Sequence, residues 1–185
     1  MYYRIFSPIY QRAAKKMCQD CQDFIEKDCR ILDLGSGAGI VGETFKIFFQ
    51  AEVTGIDIKD VNIASIPFEV YDGQHFPFSE KSFDTVLINY VLHHSESPRI
   101  LLVEAKRVAK DKIIIYEDIL DGFFSKLFCK LHGFSFDSFF GNPCRTSFKS
   151  EKEWENAFRE IGLNVIFKKR INNFPVKKEL FICRA

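Results

Sequence analysis

The densest chemical signal in the chain is the turn Asp33-Leu34-Gly35-Ser36-Gly37-Ala38-Gly39. Alternating glycines let a backbone pass close to a bound molecule and adopt positive φ. The turn follows an apolar run and precedes a helical pattern, so free N–H groups at a helix start would point at whatever it holds. A glycine turn can also do no more than join a strand to a helix. Two acids follow at the ends of later apolar runs, Asp57 and Asp72. A carboxylate accepts several hydrogen bonds, which suits Asp57 to a ribose diol. Gly37-Ala38-Gly39-Ile40-Val41-Gly42 fits the G-x-G-x-x-G dinucleotide pattern, with Asp57 about where a ribose-holding acid belongs. Asp33 and Gly35 extend the turn to D-x-G-x-G-x-G, and that acid favours a cationic, phosphate-free ligand over a pyrophosphate.

His93 and His94 are the candidates for proton transfer, since a neutral imidazole can take a proton from a phenol or hydroxyl. The same Leu-His-His stretch could instead start a helix or pack a loop. Glu117 and Asp118 are expected just past a strand, at the substrate mouth, as substrate ligands or as charges at a helix N-terminus. Asp84 reads as structural, holding a turn before its strand, and His75 as a solvated loop residue. Cys18 and Cys21 have C-x-x-C spacing without the second pair a zinc site needs, so reduced thiols and no metal are expected.

These residues need a scaffold that brings strand ends together. Helix formers with mixed apolar spacing predict a helix over 9–27. Short apolar runs predict strands at 30–34, 52–57, 67–71, 83–89 and 112–117, with helices over 40–49 and 96–109 between them. That alternation is the pattern of a doubly wound parallel sheet. A short helix is expected over 122–132, then a Phe-rich loop over 133–149. Ser150 and Glu153 form a capping-box pair opening a helix that runs to Ile161 and stops at Gly162. Strands over 163–170 and 178–184 would flank an Asn172-Asn173-Phe174-Pro175 turn.

Four stretches now point one way: ILDLGSGAG at 31–39, VTGIDI at 53–58, YDGQHFPFSEKSFDTVLINYVLHH at 71–94 and LLVEAKRVAKDKIIIYED at 101–118. The third is the most specific. Together they resemble the class I S-adenosylmethionine-dependent methyltransferases, in particular the small-molecule type called methyltransferase domain 11. The resemblance implies an α/β fold with a Rossmann-like, mostly parallel sheet, helices on both faces and a C-terminal antiparallel strand. It implies S-adenosyl-L-methionine as cofactor. Gly35, Ser36, Gly37 and Gly39 would surround its methionine part, and Asp33 would hold its amino group or order the turn. Asp57 would take the ribose hydroxyls, Ile58 would pack on the adenine, and Asp72 with Gly73 would meet its exocyclic amine. Asn89 would offer its backbone carbonyl to the ammonium.

The resemblance is not uniform. The Pro-Gly-Gly type turn common before the fifth strand is replaced by Val108-Ala109-Lys110-Asp111-Lys112, so that turn must be built without glycine. Asn89-Tyr90-Val91 lacks the prolines of relatives that methylate adenine or glutamine. Phe is abundant over 123–148, which in this fold would form a lid and favours a small, partly hydrophobic organic acceptor; the same residues could serve as core or a dimer contact. Lys+Arg 26 against Asp+Glu 25 gives no case for nucleic acid as the main partner. No signal-like or membrane-spanning run is present, which predicts a cytoplasmic protein with no membrane partner. One domain over 1–185 is expected: a helical region at 1–29, a cofactor half at 30–118, and a lid with terminal strands at 119–185. The alternatives are a non-catalytic methyltransferase-like subunit and an NAD-dependent oxidoreductase.

Overall fold

The computed structural model describes residues 2–121, 147–171 and 176–185, with the backbone alone for residues 2–6. Helix α1 (Tyr2–Cys21) runs into a short 3₁₀ turn (Gln22–Phe24). Then come β1 (Arg30–Leu34), α2 (Ile40–Phe49), β2 (Glu52–Asp57), β3 (Phe68–Val70) and β4 (Phe83–Asn89). A second 3₁₀ turn (Leu92–His94) precedes α3 (Pro98–Val108), β5 (Ala109–Ile119), α4 (Glu151–Glu160), β6 (Asn164–Ile171) and β7 (Lys177–Arg184). The helix expected over 122–132, the loop from 133 to 146 and the 172–175 turn lie outside the described residues.

The strands form one sheet of order β3-β2-β1-β4-β5-β7-β6. β1, β2, β3, β4 and β5 pair in parallel, and β7 is antiparallel to both β5 and β6. Strand side chains alternate faces, so each buried strand feeds two cores. Leu32, Leu34, Val86, Ile88, Ile113, Ile115 and Phe181 pack with Leu101 and Leu102 of α3 and with Trp154 and Phe158 of α4. Ile31, Leu87, Ile114, Tyr116, Leu180 and Ile182 face the other way, onto Cys18 and Cys21 of α1 and Phe45 and Phe49 of α2. Helices therefore cover both faces. Chain order reverses between β1 and β4, and the carboxyl ends of strands at such a switch point form a ligand crevice.

Several elements differ from their expected limits. Helix α1 begins earlier, at Tyr2, and ends at Cys21. Its continuation tightens to 3₁₀, and Ile25 then turns into the core beside Cys21 and Cys29. No turn separates α3 from β5. Ala109 caps α3 with extended backbone and is already paired with Phe83. The extra residue is absorbed by an irregularity between Phe83 and Thr85. That is how the missing glycine turn is accommodated. Asp84 lies inside β4 rather than in a turn before it. Its carboxylate accepts from the Arg30 backbone N–H at 2.8 Å and meets Lys110 Nζ at 3.0 Å, tying the starts of three strands.

Cys18 and Cys21 are buried, and burial pushes each thiol up to about 12. Among the described residues, no helix is long and apolar enough to cross a membrane.

The capping box forms as expected. Ser150 Oγ accepts from the Glu153 N–H, and the Glu153 carboxylate accepts from the Ser150 N–H at 2.7 Å. Ser150→Ala should cost about 1 kcal/mol, read as a lower urea midpoint. An unchanged midpoint would show that the box does not hold α4.

Candidate functional site

The glycine turn caps β1 and starts α2. The Gly35 and Ser36 N–H groups both donate to the Ile56 carbonyl of β2, at 2.8 and 3.1 Å. Gly35, Gly37 and Gly39 all have positive φ, at 67°, 52° and 77°. A Cβ at Gly35 would lie 2.3 Å from Val91 Cγ2, and one at Gly39 would lie 2.3 Å from Asn62 Oδ1. Gly37 differs, since a Cβ there would meet no heavy atom within 4 Å. The turn is therefore packed at its two ends and open at its middle.

Asp57 closes the open middle. It ends β2, and its Oδ2 accepts from the Gly37 N–H at 2.8 Å while Oδ1 accepts from the Ile58 N–H at 2.7 Å. Each oxygen keeps a lone pair for a further donor. Ile58 is 44% exposed, and the Gly73 Cα faces it so closely that a Cβ would sit 3.3 Å from Ile58 Cγ2. Ile58 and Gly73 thus form an apolar edge beside Asp57.

Asp33 points inward. Its carboxylate is 1% exposed and accepts from Ser36 Oγ at 2.9 Å. α2 presses on it at Gly42, where a Cβ would be 2.8 Å from Asp33 Oδ2. Burial pushes its carboxyl up to about 7, and the negative Asp57 adds to this; hydrogen bonds from Ser36 and the Gly42 backbone oppose it. Of the two roles expected for Asp33, ordering the turn is the one its contacts perform. The Ser36 hydroxyl is likewise committed to Asp33.

Asn89 ends β4 at the same rim. Its side chain faces the Asp33 carboxylate without reaching hydrogen-bond geometry, and its buried amide nitrogen and oxygen have no partner among the described residues. Buried polar atoms are usually paired, and an exception at a strand end in a crevice points to a ligand. Tyr90 follows in left-handed backbone, φ 57°, unusual for a bulky side chain. Its N–H bonds the Tyr116 carbonyl at 2.8 Å, and Lys178 Nζ lies 4.0 Å from its ring centroid.

Asp72 is exposed and serves its own loop. Oδ1 accepts from the backbone N–H groups of Gln74 and His75, both at 2.7 Å, and Oδ2 lies 2.8 Å from His75 Nδ1. These contacts, the imidazole first, hold its carboxyl down at about 2. His75 is therefore a partner of Asp72 as well as a solvated residue.

The two histidines separate. His93 is 1% exposed, with Nδ1 2.5 Å from Glu117 Oε2. Glu117 Oε1 accepts from the Leu92 N–H at 2.8 Å. The Phe148 ring stacks on His93 with centroids 4.6 Å apart, and the Ser147 N–H donates to the His93 carbonyl at 2.8 Å. His94 is half-buried, its ring 4.0 Å from that of His93. Glu117 and Asp118 do not follow the fifth strand as expected. β5 runs on to Ile119, so both are strand residues, and Glu117 is fully buried. Sequence reasoning missed the Glu117–His93 pair; the one signal for it was that Glu117 directly continues the apolar run Ile113-Ile114-Ile115-Tyr116, where a buried acid would need a partner.

A family model described as a methyltransferase domain matches residues 32–116. An uncharacterized protein of Methanocaldococcus jannaschii is 34% identical over 101 residues, covering 54% of this chain and 49% of that protein. An uncharacterized methyltransferase of Schizosaccharomyces pombe is 30% identical over 106 residues, covering 47% of this chain and 38% of that protein. The chain thus spans half or less of the length of these curated relatives. Among solved structures, the magnesium protoporphyrin IX methyltransferase of Synechocystis PCC 6803 with bound SAH superposes with a TM-score of 0.71. It is 16% identical, with 95% of this chain and 83% of that chain covered, a likeness of fold.

Proposed function

We propose that this chain, whose residues 32–116 match a methyltransferase domain and whose fold is that of a methyltransferase solved with bound SAH, transfers a methyl group from S-adenosylmethionine to a small, partly hydrophobic organic acceptor. On this reading residues 1–185 act as one methyltransferase domain, with residues 30–118 as the cofactor half. The observation that carries it is the junction at Gly37, where the Asp57 carboxylate holds an otherwise open glycine turn and keeps a free lone pair on each oxygen.

The residues present fit the cofactor. Asp57 would accept from both ribose hydroxyls. Gly35, Gly37 and Gly39 would carry the backbone past the methionine part, with Asp33 and Ser36 bracing the turn from behind. Ile58 and Gly73 would flank the adenine, and Asp72 would accept from its amine with the lone pairs its loop leaves over. Asn89 would meet the ammonium end, where its buried amide also finds a partner. The cofactor supplies a methyl on a sulfonium, already activated for displacement. Binding, alignment and exclusion of water are left to the chain. Phe148, against His93 at the crevice rim, gives that rim an aromatic surface suited to an apolar acceptor.

Calorimetry should show micromolar binding of S-adenosylhomocysteine and no response to NAD. Tight NAD binding without a response to S-adenosylhomocysteine would overturn the reading. Asp57→Ala should weaken S-adenosylhomocysteine binding by roughly 1.5–3 kcal/mol, the range for hydrogen bonds to a charged group, with the urea midpoint little changed. An unaltered dissociation constant would remove Asp57 from the site. The acceptor class is tested with methyl-labelled cofactor and a panel of phenols, hydroxyquinolines and aromatic acids. Label should enter a solvent-extractable product; label in added RNA or protein instead would overturn a small acceptor.

A further inference from the structure

The Glu117–His93 pair is costly unless it is used. Glu117 is fully buried and His93 nearly so. A tie between the 3₁₀ turn and β5 could be made by two apolar side chains without desolvating a carboxylate. The cost is increased by Glu179 of β7, also buried, which stands directly opposite Glu117 in the β5–β7 ladder. Arg170 of β6 reaches Glu179, at 3.2 Å, so the charge facing the pair from that side is partly offset. Glu117 itself is held at both oxygens, by the Leu92 N–H and by His93.

The pair also lies in the right place. Glu117 lies one residue past Tyr116, the β5 partner of the last β4 residue, and His93 comes four residues after Asn89, whose amide has no partner among the described residues. Val91, two residues before His93, packs on the Gly35 end of the glycine turn. A carboxylate can only accept hydrogen bonds, so Nδ1 carries a proton, and in a neutral imidazole Nε2 then carries the lone pair. No other described residue is hydrogen-bonded to the His93 ring.

We propose that Glu117 is a positioning residue that holds His93 with Nε2 unprotonated, and that His93 is the general base of methyl transfer. This rests on the methyl-transfer reading above and narrows its substrate. The acceptor is a molecule whose nucleophilic atom bears an acidic proton, a phenolic or enolic hydroxyl, rather than a thioether or a tertiary amine. In the step, the acceptor's O–H proton passes to Nε2. The oxygen lone pair forms the new C–O bond to the methyl carbon, and the S–C bonding pair stays on sulfur. The imidazolium that results is stabilised by Glu117 and returns its proton to solvent after the products leave. His94 shares the rim but is not paired with Glu117 in this way.

Glu117→Gln tests the pair with little change of shape. The Leu92 N–H needs the amide oxygen, which leaves the NH₂ group facing Nδ1. Nδ1 must then accept, and the proton moves to Nε2. Nitrogen-15 NMR of histidine-labelled protein, assigned with His93→Gln and His94→Gln, should show His93 protonated at Nδ1 in the parent and at Nε2 in Glu117→Gln. With cofactor carrying a ¹³C-methyl group, the methyl protons should show a nuclear Overhauser contact to a His93 ring proton. In turnover, Glu117→Gln should lower kcat by about 10²–10⁴-fold with S-adenosylhomocysteine affinity unchanged. Nε2 protonation in the parent, no contact from the bound methyl group, or full turnover in Glu117→Gln would each overturn the proposal. The first can be read without cofactor. Failure to bind S-adenosylhomocysteine would instead overturn the functional reading beneath it.

Discussion

Gly35→Ala should destabilise the fold by about 2–5 kcal/mol, a large loss for the addition of a single methyl group. Two costs combine. At φ 67° a residue with a side chain incurs about 1–2 kcal/mol for left-handed backbone. The added Cβ would also fall 2.3 Å from Val91 Cγ2 and 2.9 Å from Cγ1, so one wall of the turn must shift, an overpacking of about 1–3 kcal/mol. Urea denaturation followed by circular dichroism measures the total. Val91→Ala in the Gly35→Ala background should return the overpacking part and leave the backbone part. Gly37→Ala is the control, because its Cβ meets nothing within 4 Å and only backbone strain remains. Gly37→Ala should therefore fold better than Gly35→Ala while binding S-adenosylhomocysteine poorly, since its methyl enters the open middle of the turn. Equal losses of stability in the two variants would show that Val91 does not wall the turn.

Stability should fall as pH rises from about 4 to about 7, through one buried carboxyl. Asp33 holds its proton up to about 7 in the folded chain against an ordinary 3.8, chiefly because burial disfavours its charge. The folded state then binds a proton that the unfolded state has already released. The contribution to stability is full below the ordinary carboxyl range and is lost as pH rises through the folded value. A gap of about three pH units corresponds to roughly 4 kcal/mol. Asp33→Asn keeps the shape and removes the titration, so its stability should be flatter across that window and should exceed the parent's at pH 8. Urea midpoints at pH 5, 6, 7 and 8 decide it, and parallel curves for parent and variant would refute the assignment. A cationic ligand beside the turn favours ionised Asp33. S-Adenosylmethionine binding near pH 6.5 should accordingly release a proton, visible as a binding enthalpy that depends on the buffer.

These expectations rest on features of different legibility. The glycine turn was readable because three alternate glycines after an apolar run leave few other uses for them. Asp57 was readable because a strand of fixed length ends on it, and the structure places it against Gly37. Strands β1, β2 and β4 kept their expected limits because each is a short apolar run buried on both faces. Limits failed where the boundary is set by packing. β5 starts at Ala109 because Phe83 pairs with it, and nothing local to Ala109 announces that.

Local sequence thus determined the order of elements, the open turn and its acid, since backbone conformation and hydrophobic period act over a few neighbouring residues. The tertiary structure alone decided which polar groups meet. His93 and Glu117 are brought together across 24 positions by the register of β4 against β5. Asn89, ending β4, is brought to the side of Asp33, yet its amide has no hydrogen-bond partner among the described residues. The Asp33 carboxyl is pushed up to about 7 because α2 and the turn close over it. Register and burial follow from how two cores fill on opposite faces of one sheet, a property of the whole chain that no short stretch of it contains.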